Sequence, residues 1–124
     1  MPLSAIEEPE VLDITVVVGN SFNREIELCD DAGSPVDLTG KGACAQIYDV
    51  EDNRLLAEFT IPALGSDGKI PLTLRVSESM KLDCVSTASW ALTVFDIDNP
   101  ESDTTTILIG RVNVKHVGLE YKGA

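Results

Sequence analysis

Histidine occurs once in this chain of 124 residues, aromatic side chains make up only 5%, and 9 lysines and arginines face 21 aspartates and glutamates. Each scarcity removes a class of function. The single histidine, His116, lies at the end of the last apolar stretch with no nucleophile near it in sequence, so neither a Ser-His-Asp nor a Cys-His arrangement is expected. A net charge of -12 opposes unassisted binding to DNA, RNA or an anionic membrane, all of which need local positive potential. No apolar run approaches the roughly 18 residues of a membrane span. The start, Met1-Pro-Leu-Ser-Ala-Ile-Glu-Glu-Pro-Glu10, has neither the basic opening nor the apolar core of a secretory signal.

Cysteine is also scarce. Cys29, Cys44 and Cys84 are an odd set with no Cys-x-x-Cys pair, so neither a disulfide framework nor a zinc site is expected, and the thiols fit synthesis in a reducing cytoplasm. No glycine-rich phosphate loop stands between a strand and a helix. Two acidic groupings are weighed as sites. Asp30 and Asp31 are adjacent acids in a turn, which are ordinarily solvated. The stretch Asp96 to Asp103 has the oxygen ligands calcium requires, but Pro100 and Glu101 break the EF-hand spacing, and it reads as a hairpin tip. The expectation is a non-enzymatic chain with no cofactor and no metal.

What is abundant is alternation. At 44% hydrophobic residues the chain can bury a core, and its apolar positions recur with period two. Leu12, Ile14, Val16 and Val18 share one face of a first strand, and Phe22, Ile26 and Leu28 one face of a second, interrupted by Arg24. Ala43, Ala45 and Ile47 form a small-residue face over which Trp90 is expected to pack. Leu55, Ala57, Phe59 and Ile61 alternate in a fourth strand. Ile70, Leu72, Leu74 and Val76 alternate in a fifth, where Pro71, lacking an amide donor, marks a sheet edge. Ser77 to Leu82 is the one helical candidate, with Ser77 as its cap and Met80 and Leu82 closing the sandwich end. The sixth strand spans residues 88–97. The seventh, Thr104 to Lys115, turns Leu108, Val112 and Val114 inward, and its Gly110 marks a bulge or a close backbone approach.

The longest connection, Asp30 to Gly42, is rich in turn formers and too long for a direct hairpin, which implies a crossing between sheets. About seven strands, with turns every ten or so residues and only one short helical turn near 77–82, predict an all-β, antiparallel immunoglobulin-like sandwich. The expected domain covers 11–117, with an extended arm at 1–10 and a tail at 118–124.

The strings Gly19-Asn-Ser-Phe22, Asp30-Asp-Ala-Gly-Ser-Pro-Val-Asp-Leu-Thr-Gly40, Ala45-Gln-Ile47, Asp67-Gly-Lys-Ile70, Ser77-Glu78 and Leu108-Ile-Gly-Arg-Val112 carry a resemblance. With Leu72, Leu74, Leu82, Trp90, Leu92 and Val114 in the same order, residues 12–117 resemble the immunoglobulin-like N-terminal domain of upper baseplate proteins of tailed bacteriophages and related small phage proteins. The resemblance implies a virion structural protein made in the bacterial host cytoplasm, tail or baseplate associated. Its partners would be other virion proteins and copies of itself, with no nucleic acid and no membrane. Capsid decoration, or a free-standing immunoglobulin-like ligand-binding or adhesion module, are the alternatives. Sandwich edges without charge or proline are the weakest guarded against strand addition. The expected assembly interface is therefore the arm, Val11 just after it, Val16, Val17 and Val18 of the first strand, and Thr105, Ile107 and Ile109 of the last.

Overall fold

The structure, a computed structural model, describes residues 9–83, 85, 87–99, 101 and 104–116. Among them are eight strands: β1 Glu10–Val11, β2 Ile14–Val17, β3 Phe22–Glu27, β4 Lys41–Asp49, β5 Arg54–Glu58, β6 Lys69–Leu74, β7 Thr87–Asp96 and β8 Thr104–Lys115. A single helical turn, α1 Val76–Ser79, runs into a 3-10 turn at Met80–Leu82. The larger sheet has the order β1-β8-β7-β4-β5, with β2 also on β8, and the smaller sheet is β3-β6. The run β8-β7-β4-β5 facing β3-β6 is the GFCC′-over-BE arrangement of an immunoglobulin-like sandwich.

Alternation explains most of the core. Ile14 and Val16 of β2, Ala45 and Ile47 of β4, Ile70, Leu72 and Leu74 of β6, Trp90, Leu92 and Val94 of β7, and Val112 of β8 are buried between the sheets. Each large aliphatic side chain so buried contributes about 1.5 to 3 kcal/mol. Phe22, Phe59 and Trp90 form an aromatic chain through this layer, with ring centroids 5.9 Å apart at both steps. The crossing expected between residues 30 and 42 is present, since β3 and β4 lie in different sheets. Asp30 accepts the amides of Ala32 and Ser34 at 2.9 Å, and Leu38, from within the loop, is fully buried.

Several expectations need correction. The first and last strands pair in parallel: Glu10 and Val11 lie against Leu108 and Ile109, and Ile14 to Val17 against Val112 to Lys115, so the large sheet is mixed. Glu10 belongs to a strand and not to the arm. The fourth strand ends earlier than its alternation suggests. Phe59 donates to Ala45 on β4, but Thr60 exchanges both backbone bonds with Thr73 on β6, so the chain passes from one sheet to the other there. A register shift beside Ile47 and Tyr48 puts Leu55 opposite Tyr48 on the outer face, 50% exposed, instead of in the core. Val76 begins the helix and is half exposed, and Met80 is exposed while Leu82 alone fills the sandwich end. No side chain caps the helix. Ser79, not Ser77, is the structural serine: its hydroxyl accepts the Gly19 amide and donates to the Val76 carbonyl, both at 3.1 Å. Arg24 lies in the middle of β3 opposite Leu72, where the strand's open side leaves its long side chain a route to water.

Pro71 behaves as expected. Thr73 turns its amide and carbonyl toward Thr60, so Pro71, two residues earlier, directs its missing donor to the same side, away from β3.

Candidate assembly surface

The geometry that sets this surface begins at one glycine. Gly110 pairs with Trp90 across β7 and β8, and a side chain added there would collide with the Leu12 carbonyl and approach the Trp90 indole nitrogen at 3.0 Å. With no such atom present, the Leu12 carbonyl turns inward and accepts the indole N–H at 2.7 Å. In an unbroken parallel ladder the Arg111 amide would take that carbonyl; it donates instead to the Asp13 carboxylate at 2.9 Å. This exchange of partners separates β1 from β2 although both keep one register on β8. The close approach expected at Gly110 is therefore present, whereas the irregularity in the β7-β8 pairing falls beside Leu92 and Thr93 and leaves Ile107 as the extra residue.

On the outer face this break opens a groove of about 400 Å³ lined by Val11, Asp13, Tyr48, Ser89, Ile109 and Arg111. Tyr48 also lines a second hollow with Gln46, Asn53 and Leu55, so the depression continues across the sheet to β5. Val11, 72% exposed, forms one rim. Cys44 sits on this face opposite Thr93, and partial burial, then the nearby Glu58 charge, push its thiol above the usual range, which keeps it protonated and unreactive.

The expected interface residues divide. Val16 is fully buried and Ile107 is 3% exposed, so their side chains belong to the core and present nothing to a neighbour. Val18 is partly buried against the same core. Thr105 shares the inward side with Val94, and Ile109 lies on the outer face beside Val11. From Leu108 onward the last strand is covered by β1 and β2, so of the uncharged run 104–109 only Leu108 and Ile109 are paired by the first strands. β2 then forms the outer edge of this seam. Val17 and Thr15 remain at the surface, and no described residue pairs with the far side of this strand. The arm at residues 1–8, Cys84 and the tail at 118–124 lie outside the described residues.

The edges at β3 and β5 are guarded. β3 carries Arg24, Glu25 and Glu27. On β5, the Glu58 amide is taken by the Glu78 carboxylate at 2.8 Å, and Lys81 binds the same carboxylate at 2.7 Å. These contacts, the Lys81 hydrogen bond first and the Glu58 amide second, hold Glu78 below the usual carboxyl range. One end of the sandwich gathers acids: Asp30, Asp31, Asp37, Asp67 and Asp98 stand in loops, with Asp96 at the end of β7, and these loops are tied together by Leu28 to Gly68, Leu38 to Gly65 and Ile97 to Gly40 backbone bonds. Asp96 there accepts the Asp98 amide at 3.0 Å, and no group of three potential metal ligands occurs among the described residues.

The chain matches no protein-family model and no curated protein.

Proposed function

We propose that this protein is a non-enzymatic assembly module of a tailed-bacteriophage virion, associated with the tail or baseplate, with other virion proteins and copies of itself as partners. The reading rests on the resemblance of residues 12–117. The geometric observation that favours it is the unguarded edge of β2, Ile14-Thr-Val-Val17, in a sandwich whose β3 and β5 edges carry charge or a side-chain cap. An uncharged edge is a liability in a protein that works alone and a joint in one that works in an array.

Mass spectrometry of heads and tails separated from purified particles tests it. The chain is expected in the tail fraction in stoichiometric copies. Recovery with heads alone moves the reading to capsid decoration, and absence from both fractions overturns it.

A further inference from the structure

We propose that β2 is the joint between two copies of this chain, which meet antiparallel about a two-fold axis at Thr15 to make one continuous sheet. The proposal deepens the assembly reading by naming the partner at this edge.

Backbone parity narrows the register. Leu12 donates to Ile109 and Val18 to Lys115, so the even-numbered residues between them face β8. Thr15 and Val17 therefore turn their amides and carbonyls to the open side, and Asp13 its carbonyl alone, since its amide shares the peptide plane of the inward-turned Leu12 carbonyl. With Thr15 opposite its own copy in an antiparallel partner, the two Thr15 residues can exchange both backbone bonds, and each Val17 amide faces an Asp13 carbonyl. The Val17 carbonyl already accepts the Asn20 amide at 3.0 Å, so this register, which asks nothing more of it, is favoured over one that sets Thr15 opposite Val17. Thr15, exposed and uncharged, meets itself, and threonine pairs across antiparallel strands are favourable.

Charge selects the second copy and its direction. Val17 lies beside Lys115, so the antiparallel arrangement brings Asp13 of one copy toward Lys115 of the other, twice by symmetry. It also sends the acidic loop ends of the two sandwiches to opposite ends of the pair. A parallel arrangement would place those ends side by side, at a net charge of -12 per chain.

Sedimentation velocity and native mass spectrometry of the purified chain, with no other virion protein present, are expected to give a dimer. Thr15→Lys, an exposed change that sets like charges face to face, is expected to give a monomer with the wild-type circular dichroism. Register is read by cross-linking in a background with Cys29, Cys44 and Cys84 changed to Ser. Thr15→Cys is expected to form an intermolecular disulfide, because facing Cα atoms about 5.5 Å apart suit one, and Asp13→Cys is not. A wild-type monomer at every concentration overturns the proposal, as does a dimer that Thr15→Lys leaves intact or a cross-link through Asp13→Cys but not Thr15→Cys. If Thr15→Lys does not fold, the cross-linking pair decides. A chain found in tails but monomeric when pure overturns the joint and leaves the assembly reading standing; a dimer absent from particles does the reverse.

Discussion

Gly110 and Trp90 show how much can hang on one missing methyl group. Gly110→Ala forces the Leu12 carbonyl outward and breaks its bond to the indole, for about 2 to 4 kcal/mol of lost stability. Trp90→Phe keeps an aromatic ring but strips the carbonyl of its donor and leaves a gap, at a similar cost of about 2 to 4 kcal/mol. Urea denaturation checks both through the midpoint at unchanged slope. Because the two changes break the same bond, the double variant is expected to lose clearly less than the sum; simple additivity would mean that the bond is not what they share. Sequence pattern identified both residues but not their connection. A glycine inside an apolar strand signals close approach, and a lone tryptophan signals core, yet nothing local says that Leu12, 78 residues before Trp90, is the third member. Asp13 was hidden for a similar reason: in the alternation of the first strand it reads as an outward polar residue, and its role as acceptor for Arg111 exists only because Leu12 has turned away.

Strands were legible where one residue in two meets the core, as in Ile70, Leu72 and Leu74, and the bounds of Thr104–Lys115 follow from its sequence. Less legible was what a strand pairs with. Period two gives a face but not a neighbour, so the parallel pairing of β1 and β2 with β8 and the passage from sheet to sheet at Phe59 and Thr60 left no local trace. The guard on β5 was equally invisible, because Glu78 reaches Glu58 across 20 residues. It makes a test at the level of the element. A carboxyl held below its ordinary range contributes stability that is full above the unfolded glutamate pKa of about 4.3 and is lost as the pH falls through the lower folded value. Glu78→Gln is expected to flatten that part of the acid-side stability profile, measured by urea midpoints across the acid range. An unchanged profile would show that Glu78 gains nothing from Lys81 and the Glu58 amide.

The whole molecule carries its excess acid unevenly, and the six aspartates at one end repel one another in the folded state more than in the extended chain. Added sodium chloride is expected to raise the melting temperature steeply at first, as the screening length falls from about 30 Å at 0.01 M to about 10 Å at 0.1 M, and little thereafter. A melting temperature flat across that range would place the loop charges too far apart to matter. Composition foretold the charge, and only the fold showed its concentration at one end. The parallel seam between first and last strands has a further consequence. A pull on Glu10 and Lys115 enters at opposite ends of the seam and runs along β8, so it loads the bonds of that seam together, in shear, and cannot unzip them singly from one end. Tension carried through this domain from its first strand to its last would meet it in its mechanically strongest direction.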